Sequence, residues 1–73
     1  MMTDADKVKL DNNFTYHAPK GDQAERYGAL RQGAKGLALL IMGLCPDSRE
    51  RAVALTYLET AVFWANASIA RNE

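Results

Sequence analysis

The sequence predicts an all-α fold: an antiparallel two-helix hairpin with an N-terminal arm, assembling into a symmetric helical oligomer. Three observations predict it. Apolar residues recur every three and four positions along two successive runs, as one face of a helix requires. A Cys-Pro pair separates the runs and leaves a connection of two or three residues, which forces antiparallel neighbours. Finally, 48 % of the 73 residues are hydrophobic. A chain below roughly 70–80 residues seldom builds a self-sufficient core, so this much apolar surface calls for other copies.

Residues 1–12 are polar, carry no periodicity and are expected to form a flexible arm. Residues 13–73 form the hairpin domain. It opens on NFTYHAPKG, where Phe14 and Tyr16 alternate with Thr15 and His17 as in an extended stretch. Pro19 pushes Ala18 toward extended geometry as well. The first helix is predicted over 22–44, with Asp22 as its cap and Glu25 three residues on, the spacing of a capping box. Tyr27, Leu30, Ala34, Leu37, Ile41 and Leu44 form its seam. Pro46 stops it, lacking an amide proton and disfavouring helical geometry at Cys45.

The turn is predicted at 45–47 and the second helix over 48–70. Asp47 and Glu50 repeat the capping spacing. Ala52, Leu55, Leu58, Val62, Ala65 and Ile69 form the second seam. Each arm spans about 35 Å at 1.5 Å per residue. Val53, Tyr57, Phe63 and Trp64 lie off that seam, and Glu59 is the only charge between Ala52 and Ala70. A helix this apolar all round needs burial on more than one side. A two-fold dimer with a four-helix core is the simplest source. Gly28, Gly33, Gly36 and Gly43 each cost about 1 kcal/mol relative to alanine in a helix interior. They imply that something approaches the backbone closely, either a packed helix or a ligand beside Arg31 and Lys35.

Composition excludes several classes. Nine basic residues balance nine acidic ones, so there is no electrostatic footprint for long nucleic acid. One cysteine makes neither an intrachain disulfide nor a zinc site, and no cofactor or metal is expected. Residues 1–12 lack the apolar segment of a secretory leader. The uncharged stretch 36–46 is far shorter than the ~18 residues of a membrane span. An intracellular protein without a membrane partner is expected.

Few residues can carry chemistry. Cys45 has no base placed near it by sequence and reads as a buried structural thiol. His17 reads as an arm residue bonded to the helical body. Glu59 stands alone in its helix, and Glu25, Asp47 and Glu50 are accounted for as caps, which leaves too few carboxylates for metal-assisted phosphate hydrolysis. Arg26, Arg31, Lys35 and Arg71 remain. Arg31 and Lys35 share a face at i, i+4, and Arg71 sits in a last turn where a cation suits the helix dipole. They are either solvated surface or a small anion pocket multiplied by symmetry. Tyr16 is either a tether for the arm or a stacking surface for a base. Asn66 lies among alanines, fixing register across an interface or bonding a ligand.

The run FTYHAPKGDQAERYGALRQGAKGLALLI, the turn LCPDSRE and the ending WANASIARNE together resemble a phage-encoded helical hairpin domain. It occurs in anti-CBASS cyclic-oligonucleotide sponges and in the Thoeris anti-defence sponges. The latter carry an additional N-terminal β region, so the short segment ahead of the match fits the anti-CBASS type better. The resemblance implies binding without catalysis: capture of cyclic dinucleotides, such as 3′,3′-cGAMP, and cyclic trinucleotides in the cytoplasm of the infected bacterium. It also implies a hexamer, a trimer of dimers, with separate sites for the two ligand classes. Tyr16 matches the arm tyrosine that stacks on a dinucleotide base. A basic residue of the first helix holds the dinucleotide's phosphates in that family, and either Arg31 or Lys35 matches it. Arg71, with Arg26, is implied for the trinucleotide pocket. Two other readings remain: an oligomerisation or protein-interaction module with no small ligand, and a small nucleotide hydrolase using Glu59.

Overall fold

The computed structural model describes residues 1–73, which form three helices and no strand: α1 (Asp4–Phe14), α2 (Gln23–Leu44) and α3 (Arg49–Asn72). The stretch expected as an unpatterned arm is thus mostly helix. Its cause is local. The Thr3 hydroxyl accepts from the Asp6 amide at 3.1 Å while the Thr3 amide donates to the Asp6 carboxylate at 3.0 Å. That reciprocal capping box satisfies first-turn donors, and Asp4 and Asp6 complement the positive end of the helix dipole. α1 buries no side chain, so hydrophobic periodicity had nothing to reveal. The Asn12 side-chain amide donates to the Arg71 carbonyl at 3.0 Å and ties α1 to the end of α3. His17 Nε2 lies 2.8 Å from the Asn12 carbonyl oxygen, so the histidine bonds the new helix.

Gly21 takes φ +56°, the left-handed region that glycine enters freely, and turns the chain into α2. Asp22 stands at the N-cap, yet its carboxylate accepts from Arg26 Nε at 3.1 Å and caps no amide. Gln23 organises this end instead. Its Oε1 accepts from the Lys20 amide at 3.0 Å, and its Nε2 donates to Glu73 Oε1 at 3.2 Å. At 4 % exposure Gln23 is the one buried residue of the chain.

At the other end, Ser48 rather than Asp47 caps α3: its hydroxyl accepts from the Arg51 amide at 3.1 Å and donates to the Pro46 carbonyl at 3.0 Å. Asp47 pairs with Arg51 at 3.2 Å. Arg51 Nη1 donates to the Met42 and Cys45 carbonyls at 3.2 and 3.3 Å. Those are carbonyls at the end of α2, part of the set that lacks helical partners. Cys45 itself is exposed, contrary to the buried thiol expected, because the turn projects past both helix ends.

α2 and α3 lie side by side. Ala34, Ala38 and Ile41 are half-buried along one helix, as are Leu55, Leu58, Val62, Ala65 and Ile69 along the other. The molecule measures 49 × 34 × 13 Å. Its Cα radius of gyration is 16.3 Å, against roughly 11 Å for a compact domain of this length, so the helices are spread out and enclose no core. No hydrophobic side chain is buried, and Leu39, Leu40, Leu44, Tyr57, Phe63 and Trp64 stand in solvent. The exposed area is 5880 Å², against roughly 4,500 Å² for a folded monomer of this mass. Within the chain nothing lies within 4 Å of a Cβ built on Gly28, Gly33, Gly36 or Gly43. The close approach inferred from those glycines is therefore not made by α3.

Candidate functional site

The seam residues Ala34, Leu58 and Val62 separate two grooves. At 100° per residue, Leu30, Gly33 and Leu37 fall on one side of Ala34, and Arg31, Lys35 and Ala38 on the other. The first groove, about 640 Å³, is almost wholly apolar, with Arg26 as its one charged residue. The second, about 560 Å³, is different: Arg31 and Lys35 of α2 line it with Met42, and Glu59, Phe63 and Asn66 line it from α3. Both volumes lie in the ~300–1,000 Å³ range of small-ligand sites. A smaller recess of about 260 Å³ shares Arg31 and Asn66 and adds Tyr27.

Local sequence explains this second groove. Arg31 and Lys35 are one helical turn apart and face the same way. Glu59, Phe63 and Asn66 follow the spacing i, i+4, i+7 and form one stripe of α3. The ion pairs of the chain join Lys7 to Asp4, Arg26 to Asp22 and Glu73, and Arg51 to Asp47. The three charged groups of the groove therefore pair with nothing. Phe63, 66 % exposed, offers an aromatic face beside them. Asn66 Oδ1 is buried without a hydrogen-bond partner. A buried acceptor left so costs about 1–3 kcal/mol, which a donor from a ligand or a second chain would relieve.

The other sequence-derived candidates lie elsewhere. Tyr16, 83 % exposed, stands on the link between α1 and α2 and lines neither groove. Arg26 is already engaged: its Nη1 donates to Glu73 Oε2 at 2.7 Å, and its Nη2 pairs with Glu73 Oε1. The fork from Arg26, with a further bond from Gln23, holds the Glu73 carboxyl down at about 2, and the same contact raises Arg26 above its ordinary value. Arg71, on α3, lies over the Trp64 ring at 5.8 Å, a cation–π distance, and lines none of the grooves. The chain thus brings Arg31 and Lys35 together and leaves Tyr16, Arg26 and Arg71 apart from them. No three His, Cys, Asp or Glu side chains converge on a point that could hold a metal.

Sequence reasoning read Phe63 only as apolar surface off the second seam, and it weighed Glu59 only as a hydrolytic residue. The signal was available in the stripe that Glu59, Phe63 and Asn66 make at i, i+4, i+7, which sets the single charge of the 52–70 stretch on one face with an aromatic ring and an amide. No helix is long and apolar enough to cross a membrane.

No curated protein and no solved structure matches the chain. The family model described as Acb2/Tad1, hairpin domain, matches residues 6–70. That span takes in most of α1, all of α2 and nearly all of α3, so the resemblance covers the whole helical framework and not a fragment of it. The chain belongs to the Acb2/Tad1 hairpin-domain family, phage anti-CBASS and anti-Thoeris sponge proteins.

Proposed function

We propose that the chain sequesters cyclic oligonucleotide messengers, dinucleotides such as 3′,3′-cGAMP and also trinucleotides, without cleaving them, and thereby blocks CBASS immunity in the cytoplasm of the infected cell. One observation carries the reading beyond family membership: Arg31 and Lys35 face one groove of small-ligand size and neither is neutralised by a partner. Two free cations a turn apart suit a phosphodiester, whose oxygens take charge-assisted hydrogen bonds. Tyr16 supplies a stacking face from the arm of the same or a neighbouring copy. Arg71 and Arg26 serve the trinucleotide, and Arg26 does so only by giving up Glu73.

The assembly proposed is a homohexamer built from dimers. The support is energetic. Fixing each residue costs about 1–2 kcal/mol of chain entropy, and this chain offsets none of it with a buried hydrophobic side chain. Its surface exceeds that of a typical monomer by roughly 1,400 Å², more than the ~800 Å² one partner gives up at a standard interface. Closed symmetry then presents several copies of each cation to one ligand.

The test is calorimetric titration with 3′,3′-cGAMP, followed by heating the complex and chromatographing the nucleotide released. Tight binding with intact nucleotide recovered supports a sponge. A shortened product would make the protein a hydrolase. No heat with this ligand or with cyclic tri-adenylate would leave an interaction module that uses its exposed apolar face.

A further inference from the structure

Glu59 is the anomaly of the charged groove. It is the only charge between Ala52 and Ala70, and it lines the same groove as Arg31 and Lys35 without pairing with either. For a groove that held phosphate alone, a carboxylate would be a liability, since like charges repel. The liability disappears if the carboxylate meets a different part of the ligand. Phe63, one turn further along the same face, is exposed and flat, and a nucleobase stacks on such a face with little sequence preference. A base on Phe63 would turn its edge toward a neighbour on the same stripe.

An ionised carboxylate only accepts hydrogen bonds, and it does so with two parallel oxygens. Guanine presents two adjacent donors on its Watson–Crick edge, N1–H and the N2 amino group. Adenine presents there a donor, the N6 amino group, beside an acceptor, N1, whose lone pair a carboxylate would face. We infer that Glu59 selects guanine: the base stacks on Phe63, its Watson–Crick edge is held by the Glu59 carboxylate, and Arg31 and Lys35 take the adjoining phosphate. The inference rests on the sponge reading above and adds to it a base preference and the residue that sets it.

Glutamine at position 59 supplies one acceptor and one donor, which fits adenine and mismatches guanine. Calorimetric titration of the full chain with cyclic di-GMP and cyclic di-AMP, wild type against Glu59→Gln, tests this. The wild type should prefer cyclic di-GMP. The variant should lose affinity for it at least about tenfold, the scale of one good bidentate base contact, while its affinity for cyclic di-AMP holds or rises. Phe63→Ala should weaken both ligands alike. A purely structural role for Glu59 would move both affinities together, so an unchanged ratio in Glu59→Gln overturns the inference. A variant that gains affinity for both ligands overturns it too, since Glu59 would then act only by repelling phosphate. If the wild type binds neither dinucleotide but takes 3′,3′-cGAMP or cyclic tri-adenylate, the guanine inference falls alone; if it binds none of the four, the sponge reading fails with it. Circular dichroism and elution volume confirm that the variants keep their fold and assembly.

Discussion

Arg51 holds the hairpin turn, and removing its guanidinium should cost a large part of the stability of that end. The side chain is 19 % exposed while its Asp47 partner is 94 % exposed. The pair with Asp47 therefore contributes little, on the order of 0–1 kcal/mol, as exposed ion pairs do. The stronger effect is at the carbonyls of Met42 and Cys45, which accept from Nη1 at 3.2 and 3.3 Å. One nitrogen serves both, so they count as one charged hydrogen bond of about 1.5–3 kcal/mol. The cation also faces the negative end of the α2 dipole, worth about 0.3–1 kcal/mol. Arg51→Met keeps the aliphatic stem and removes all of these, so the expected loss is roughly 2–3 kcal/mol. For a chain of this size that lowers Tm by about 10–20 °C. Arg51→Lys keeps the charge without the fork and should lose about half as much. The measurement is thermal and urea unfolding at one fixed protein concentration, because assembly makes Tm concentration-dependent. A melting temperature for Arg51→Met within about 3 °C of wild type would show that water serves those carbonyls equally well and that the clamp is incidental.

Glu73 gives a pH signature. Its carboxyl sits at about 2, below its ordinary 4.5, because Arg26 and Gln23 bond the charged form. The contact therefore stabilises the folded end fully above about pH 4.5 and is lost as pH falls toward 2; amide exchange at the start of α2 should rise over that window in wild type and show no such dependence in Glu73→Gln. Gly43→Ala should raise Tm by about 4–8 °C, since a Cβ there meets nothing within 4 Å and alanine favours the helix by about 1 kcal/mol; a fall instead would mean that another copy of the chain packs against that glycine. On the proposed function, Tyr16→Ala should weaken cyclic dinucleotide capture and Arg71→Ala cyclic trinucleotide capture. Equal loss of both ligands in both variants, with the assembly intact by light scattering, would undo the assignment of two sites.

Sequence patterning saw what hydrophobic spacing can see. The seam from Tyr27 to Leu44 and that from Ala52 to Ile69 mark α2 and α3, and Cys45-Pro46 marks the break between them. It missed α1 because that helix has no apolar face; Thr3 and Asp6, three apart, were the only cue. Caps were misread for a related reason. At both helix starts an aspartate and a glutamate three residues later suggested a capping box, but an arginine four residues beyond each aspartate draws the carboxylate away, Arg26 from Asp22 and Arg51 from Asp47. The competition between a backbone amide and a guanidinium for one carboxylate depends on the arginine's other partners. Glu73 and the α2 carbonyls supply those partners across the hairpin, out of reach of any local motif.

The two grooves give the candidate site its physical logic. Arg26, Arg31, Lys35 and Arg71 look alike in sequence, but the fold separates them by which side of the α2–α3 seam each residue reaches and by what already occupies it. Arg26 borders the apolar groove and is neutralised by Glu73; Arg71 lies over Trp64. Only Arg31 and Lys35 share a groove with polar α3 residues and stay unpaired. An assembly that buried both grooves would strand two cations and a carboxylate away from water, and an uncompensated buried charge costs more than the apolar contact around it returns. The apolar groove carries no such penalty beyond Arg26, whose charge is already met. In the proposed oligomer, the tight contacts between copies therefore form through the Leu30–Gly33–Leu37 side, and the Arg31–Lys35 sides of neighbouring copies border a space left open until a ligand bearing its own phosphates, and its own hydrogen-bond donors for Glu59 and Asn66, enters and discharges it.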